Sequence, residues 1–573
     1  MHLLRLYQFA CLLLLPSVAN CADADASRPV KQVAIIGAGA AGSSAAYHLH
    51  KYASRDGVQV NITIFEKTAR IGGRTLTVDV HDIPNNPVEL GASIFVEVNH
   101  ILFNATKEFA LPTTDPGTDE AGLLGVWDGQ HFVYTQDSES WGWWNIVKLL
   151  WQYGTAPYYT RKLVQETVGT FLKLYEAPYF PFRSLSTRAY QLGLVKITGL
   201  TGLQWLAQNK LDGPFAHHIV QTSTRVNYAS NLPYIHGLGT MVAMAPEGAM
   251  AVAGGNWRIF SHMVSRSNAH VSLNSTVTSI AKKLSSDPES GSPKYSVETK
   301  TTGATDNAEA EAYPVAFDDV VIATPYQFSG IDHDAGVIPH PVDSIPYVTL
   351  HVTLFATSYR FSPEFFNLDP AARVPTSVLT TLGADEEAKP GREGAGNAGF
   401  FSATLVKVVT NPKTQNTEYV YKIFSPDKVT PEFLSRLLGV QVPDTFTRDS
   451  SADADGEESE TTLDPISWYY PAVFHPYPQK YPRVTFQDPI LGDGLYYTSG
   501  IESFISTMET SALMGMNVAR LIIDDYLGIS HADQVGVDAE ALQEQEKFQD
   551  VLTEQQKKTA EGYGRPVEDA GEL

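Results

Sequence analysis

Residues 31–49 read K-Q-V-A-I-I-G-A-G-A-A-G-S-S-A-A-Y-H-L, and this stretch constrains the fold more than any other. A β-branched run (Val33, Ile35, Ile36) stops at Gly37, and a small-residue helix begins at once, giving G-x-G-x-x-G at Gly37, Gly39 and Gly42. Gly37 is expected to make the tight turn, Gly39 to let backbone approach a pyrophosphate, and Gly42 to let helix and strand pack closely. Ala38, Ala40 and Ala41, between the glycines, are the other candidate contacts. Phosphates would then lie at a helix N-terminus, where unpaired N–H groups and the helix dipole favour anions. A second apolar run, Val60–Phe65, ends in Glu66, placed 24 residues after Gly42 to accept hydrogen bonds from a ribose. Strand, glycine turn, helix, strand and acid together predict a dinucleotide-binding α/β unit.

Arg70-Ile71-Gly72-Gly73-Arg74-Thr75 follows Glu66 closely, and Glu89-Leu90-Gly91-Ala92-Ser93 comes next. This order resembles the FAD-binding half of the amine-oxidase-like flavoproteins. The resemblance implies that Arg74 and the glycine pair approach the pyrophosphate and that Gly91-Ala92 passes beside the flavin. A guanidinium fork suits phosphate oxygens, and glycine admits close backbone contact. Leu495-Tyr496-Tyr497-Thr498-Ser499-Gly500-Ile501-Glu502 reads as a strand ending in a glycine turn, and a helix is expected from about Thr507. The same resemblance makes Gly500, Glu502, Met508 and Glu509 candidate FAD contacts, with the positive end of that helix facing the flavin. Phe317–Pro325 resembles the strand-to-turn segment found late in such domains, and Val277 falls where the family has its adenine-contacting strand.

These pieces are spread over 33–93, 271–325 and 495–520, so an α/β, Rossmann-type FAD-binding domain must be interleaved with an α+β substrate domain. The boundaries expected are FAD-binding segments at 29–110, 241–330 and 481–530, with substrate-domain segments at 111–240 and 331–480. The length of 573 residues allows roughly three to four domain-sized units. A formal charge of −23 disfavours nucleic acid and anionic membrane as partners. Part of that charge sits in an acidic insertion at 449–462, and residues 531–573 read as a polar tail expected to be dispensable for catalysis.

At the N-terminus, His2 and Arg5 precede an apolar core (Leu6–Leu15), Pro16 and Ser17-Val18-Ala19, a pattern expected of a signal peptide over 1–19. A secretory route follows as an expectation, ending in a vacuole or lysosome or outside the cell. No later run is long enough to span a bilayer. The two cysteines, Cys11 and Cys21, lie far from every flavin motif, so the FAD is expected to be non-covalent. Sequons at Asn104 and Asn274 are candidate glycosylation sites; the one at Asn61 opens an inner strand and is the least suited. No metal site is expected.

Only one nucleotide fingerprint occurs, so electrons are expected to leave the flavin for oxygen or another small acceptor, and an oxidase fits best. Residues 122–129 (G-L-L-G-V-W-D-G), 145–154 (N-I-V-K-L-L-W-Q-Y-G), Arg225-Val226-Asn227-Tyr228 and 419–425 (Y-V-Y-K-I-F-S) resemble the prenylcysteine oxidase family. That resemblance runs from about Val33 to Leu527. It implies oxidative cleavage of farnesyl- or geranylgeranyl-cysteine to a prenyl aldehyde, cysteine and hydrogen peroxide. No catalytic side chain stands out. Trp141, Trp143, Trp144 and Trp151 are candidates for walling an isoprenoid tunnel or touching a membrane surface, with interdomain core as the alternative. Arg225 is either a partner for a substrate carboxylate or one half of a structural ion pair, and His475 is a candidate proton shuttle or a loop histidine. Ala253 departs from the family, which has an acid before Gly254-Gly255-Asn256. Two rival readings remain, a flavin amine oxidase and a secreted FAD carrier without turnover.

Overall fold

The computed structural model describes residues 29–115, 122–137, 142–283, 294–303, 309–444, 465–529, 543–545 and 547–554. The expected signal peptide and the acidic insertion at 449–462 lie outside the described residues.

The strand Lys31–Ile36 is the centre of a six-stranded sheet. It pairs in parallel with Val60–Phe65 on one side and Asp319–Ile322 on the other, with Ile36 opposite both Phe65 and Ile322. His270–Ser272 extends the sheet beyond Val60–Phe65, and Leu495–Tyr497 extends it beyond Asp319–Ile322. The antiparallel edge strand Ile490–Gly492 closes it. Strands from the two ends and the middle of the chain thus share one sheet. The run Val33–Ile35 is fully buried, as expected of a parallel sheet covered on both faces.

Two helices, Ala40–Asp56 and Met508–Leu527, pack together on one face of this sheet. Their contact is close because a Cβ on Gly515 would lie 2.1 Å from the Ala41 carbonyl oxygen. A four-stranded sheet built on the hairpin of Ser275–Lys283 and Lys294–Thr301 carries Val277. The seven-stranded sheet takes its strands from 123–137 and 350–474, with Leu350–Thr357 between Trp468–Phe474 and Thr417–Ser425. Helices Ala156–Leu172 and Gln221–Tyr228 both pack on helix Gly237–Ala243, and Gln221–Tyr228 also packs on the strand Ser377–Thr380 of the seven-stranded sheet. This is the mixed α/β architecture expected from the motif order.

The C-terminal segment differs from a free polar tail. Gln549 accepts hydrogen bonds from Val484 N (2.7 Å) and Thr485 N (3.2 Å), and Gln545 donates to the Val484 carbonyl. Two glutamines thereby satisfy backbone groups of a stretch that has no strand partner of its own among the described residues.

Candidate active site

The C-terminal ends of the parallel strands open into one cavity of about 750 Å³. Ligands in open α/β sheets bind in this crevice, where the strand order reverses about the first strand. Gly37 turns the chain at φ 104° and donates its N–H to the Phe65 carbonyl at 2.7 Å. Gly42 has no room for a side chain, since a Cβ there would lie 1.9 Å from the Gly37 oxygen. Helix Ala40–Asp56 begins without a capping side chain and without an acid in its first turn, so its leading N–H groups remain available to an anion. Gly39 and Gly73 abut across the two loops, a Cβ on Gly73 lying 3.0 Å from the Gly39 Cα. This cradle of bare backbone fits a pyrophosphate.

Glu66 is buried at the end of its strand and lines the cavity. One carboxylate oxygen accepts from Ala38 N (2.8 Å), and the other accepts from Thr68 N (2.9 Å) and Thr68 Oγ1 (2.7 Å). A carboxylate has about four acceptor sites, so one remains for a ribose hydroxyl. Ala40, Ala41, Gly91, Ala92 and Val277 also line the cavity. Ala38, Gly42 and Gly500 sit behind that wall. Gly500 faces the Gln487 carbonyl, where a Cβ would approach to 2.4 Å.

Arg74 and Glu502 were expected as separate cofactor contacts; they form one bidentate pair at 2.6 and 2.8 Å. Tyr347 Oη donates to the same carboxylate at 3.0 Å, and Arg74 also donates to the Pro476 carbonyl. The arginine fork expected at the pyrophosphate is thus directed at Glu502, because a buried carboxylate needs charge-assisted partners. Glu509 lines the cavity as well. Its carboxylate accepts from Ile101 N (2.9 Å) and Leu102 N (3.0 Å), capping helix His100–Glu108, and burial pushes its pKa up to about 7. The helix that Met508 opens is itself capped by Thr507 and Thr510, with Met508 buried against the cavity.

At the other end the walls are apolar, formed by Val168, Phe171 and Leu172 on one helix and Val226, Val242 and Pro246 on neighbouring segments. The tryptophans are not part of this wall among the described residues. Trp151 is 88% exposed, and the side chains of Trp141, Trp143 and Trp144 lie outside the described residues. Tyr228 and Tyr477 complete the cavity near Glu502. Their rings meet edge to face at 5.3 Å, above the buried Lys480, whose ammonium lies 4.3 Å from the Tyr228 centroid. Tyr228 belongs to the Arg225–Tyr228 motif, but its meeting with Tyr477 and Lys480 was not foreseen, because they come from a helix end and a loop distant in the chain.

Arg225 serves neither of its expected roles. It is fully buried and donates to Thr380 Oγ1, Asn231 Oδ1 and the carbonyls of Gly394 and Ala395, with no carboxylate in the set. Burial pushes its pKa down to about 9, opposed only in part by the charge of Glu386. It cross-links a helix to the loop 394–400. His475 lines the cavity and stacks on Phe328, with ring centroids 5.0 Å apart.

Near Ala253 the nearest acid comes from another segment: Asn256 N donates to Glu89 Oε1 at 2.7 Å. The other Glu89 oxygen is buried without a partner, and desolvation pushes the group up to about 7. Lys422, pushed down to about 8 by burial, donates to the Glu89 carbonyl (2.8 Å) and Ser93 Oγ (3.0 Å), fixing the Gly91–Ser93 wall. Asn104 and Asn274 are both exposed; Asn61, at the start of its strand, is exposed as well.

A family model described as prenylcysteine lyase matches residues 136–535. The chain belongs to the prenylcysteine lyase family. A second model, an NAD(P)-binding Rossmann-like domain, matches residues 35–109. Among curated relatives of this family member is a farnesylcysteine lyase of Arabidopsis thaliana, 28% identical over 86% of this chain and 88% of that protein. Prenylcysteine oxidase 1 of Bos taurus is 28% identical over 94% of this chain and 96% of its own length. Among solved structures, cyclohexylamine oxidase from Brevibacterium oxydans superposes with a TM-score of 0.50 at 15% identity, covering 87% of this chain and all of that one. That last likeness concerns the fold alone.

Proposed function

We propose that this prenylcysteine lyase family member is an FAD-dependent thioether oxidase. It converts farnesyl- or geranylgeranyl-cysteine, oxygen and water to prenyl aldehyde, cysteine and hydrogen peroxide. The observation that carries this reading is a single cavity joining a dinucleotide cradle to an apolar arm. The relatives named farnesylcysteine lyase and prenylcysteine oxidase support the substrate class.

FAD, when bound, supplies a two-electron hydride acceptor that oxygen can restore. The residues that would hold it are the Gly37–Gly42 turn, Gly72-Gly73, Glu66, Gly91-Ala92, Val277 and Met508. Attachment is non-covalent in this reading, since the only cysteines, Cys11 and Cys21, precede the first strand. The apolar arm holds the isoprenoid, so that remote burial orients the allylic carbon beside sulfur. That carbon needs no strong base to lose hydride, because sulfur and the double bond share the resulting positive charge. Water then adds there, and the hemithioacetal collapses to aldehyde and thiol. His475, which lines the cavity, is the candidate for moving the proton of that collapse.

The proposed setting is the secretory pathway, with a vacuole, a lysosome or the exterior as the end point. Peripheral contact with a lipid surface is proposed through the exposed Val147, Leu150, Trp151, Tyr158 and Tyr159. The Arg161–Glu247 pair (2.8 Å) ties helix Ala156–Leu172, which bears Tyr158 and Tyr159, to the segment bearing the cavity residue Pro246.

The test is anaerobic mixing of the purified holoprotein with farnesylcysteine, S-allylcysteine and benzylamine. Farnesylcysteine should bleach the flavin absorbance, and admitting air should restore it with release of peroxide. Bleaching by the amine alone would replace this reading with an amine oxidase, and no bleaching by any of them would leave a carrier.

A further inference from the structure

Behind the tyrosine wall at the polar end of the cavity lies a buried cation that neither the fold nor the cofactor motifs account for. Lys480 is 2% exposed. Its stem packs on helix Gly237–Ala243, where a Cβ on Gly239 would lie 3.2 Å from the lysine Cδ. Its ammonium makes one long hydrogen bond, 3.4 Å to the Glu502 carbonyl. Otherwise it sits against aromatic faces, 4.3 Å from the Tyr228 centroid and 5.4 Å from that of Tyr477. Both tyrosines line the cavity, and among the described residues neither hydroxyl has a protein partner.

The charges around this stack leave it electropositive. Arg74 and Glu502 neutralise each other as a bidentate pair. Arg483 is paired with Asp343 at 2.8 Å. His236, whose backbone N donates to the Lys480 carbonyl, is held neutral by burial, with its pKa pushed down to about 3. One uncompensated positive charge remains, placed behind two phenol rings. A cation on a ring face draws on the π-density and makes the hydroxyl of that ring a better donor. The same cation opposes a second cation approaching the opposite side. An aromatic pair that could otherwise receive a protonated amine is therefore biased toward an anion.

We propose that Lys480 is a specificity-determining positioning residue: acting through Tyr228 and Tyr477, it makes this wall a subsite for the carboxylate of an S-alkyl amino acid and closes it to ligands whose only charge is a cationic amine. The inference rests on the thioether-oxidase reading for the identity of the apolar arm. It adds the polar feature that distinguishes a prenylated amino acid from a prenylated amine. Burial pushes Lys480 down to about 7. Its ammonium is therefore present below that pH and lost above it, and the carboxylate preference should fall as pH rises through 7.

The experiment uses full-length, FAD-loaded protein and two ligands, S-dodecylcysteine and S-dodecylcysteamine. They share chain and thioether, differ only in the carboxylate, and lack the allylic carbon, so binding is read without turnover by calorimetry or by perturbation of the flavin spectrum. The wild type should bind the carboxylate ligand about tenfold more tightly or better at pH 6, as expected for a charge-assisted hydrogen bond. Lys480→Met should bring the two affinities together, and Lys480→Arg should preserve the preference. Tyr477→Phe should reduce the preference without altering the apolar contribution common to both ligands. If Lys480→Met does not fold, Tyr477→Phe, Tyr228→Phe and the wild-type pH profile decide the matter. Equal wild-type affinities, an unchanged ratio in folded Lys480→Met, or a ratio insensitive to both tyrosine variants would overturn the proposal. Anaerobic bleaching by farnesylcysteine separates the two ideas. A retained ratio without bleaching would sink the oxidase reading and leave the carboxylate subsite standing. Bleaching without a ratio would do the reverse.

Discussion

The two ends of the cavity are built on opposite principles. The nucleotide end is made of backbone: Gly37, Gly39, Gly42 and Gly73 present bare amides, and only Glu66 contributes a buried charge. The opposite end is made of side chains from separate segments of the chain, among them Val168, Tyr228, Val242 and Tyr477. Backbone geometry at a turn leaves little freedom of sequence, since a glycine that touches a carbonyl admits no other residue. A wall of packed side chains admits many equivalents of similar volume. One end is consequently strict and local, and the other is permissive and distributed.

The largest expected effect lies at the strict end. Gly42→Val would place branched carbon where even a Cβ lies 1.9 Å from the Gly37 oxygen. Backbone cannot yield by that amount, so the variant should yield no FAD-loaded protein, as read by flavin absorbance after gel filtration. Normal FAD content would show the turn to be adaptable and the contrast between the two ends to be wrong.

Glu66→Ala comes next. It removes charge-assisted acceptors from Ala38 N and Thr68 as well as from the ribose. At roughly 1.5–3 kcal/mol for such bonds, FAD affinity should fall about 10- to 150-fold, while the preference among thioethers stays constant in the loaded fraction. Unchanged affinity in a titration of the apoprotein would remove Glu66 from the cofactor site.

At the permissive end, Val242→Phe should shorten the apolar arm without disturbing the cradle. Each CH₂ kept out of apolar surroundings costs about 0.8 kcal/mol, so losing two or three should lower the farnesyl-to-allyl ratio of kcat/KM by roughly tenfold or more. FAD content should be that of the wild type. A ratio that stayed constant would move the isoprenoid to another part of the cavity.

The same contrast explains what could be read from the sequence. The central sheet was legible because four of its six strands end in a motif: Gly37, Glu66, Thr324-Pro325 and Gly500 punctuate the runs that pair side by side. The roles of individual side chains were less legible where a long-range partner decides them. Arg74 and Glu502 lie 428 residues apart in the chain, and nothing local indicates that their charges meet. Glu509 sits at the expected place on its helix, yet its carboxylate turns to the first turn of helix His100–Glu108, a choice set by two unpaired amides there. Arg225 looks like a salt-bridge arginine in sequence. In the fold five neutral oxygens reach it before any acid does. The tryptophan cluster shows a related limit: large apolar residues close together in sequence indicate a surface that needs covering, but not which surface.

The smallest effect is expected at Trp151, and it tests that last point directly. With 88% of its surface exposed, its side chain buries too little area to contribute more than about 1 kcal/mol to the fold. Trp151→Ser should therefore leave the melting temperature, the FAD content and the farnesyl-to-allyl ratio on dissolved substrates unchanged within about twofold, a shift of less than about 0.5 kcal/mol. If this residue and its exposed neighbours Leu150 and Tyr158 contact lipid, the difference should appear only when the substrate is presented in neutral phosphatidylcholine vesicles, as a higher apparent KM with kcat preserved. The chain's formal charge of −23 sets the sign of a control: adding anionic lipid should weaken binding of both proteins. A lowered farnesyl-to-allyl ratio in free solution would instead place Trp151 on the path of the isoprenoid and join the surface cluster to the apolar arm. An unchanged response to vesicles would show that the exposed cluster serves no lipid contact.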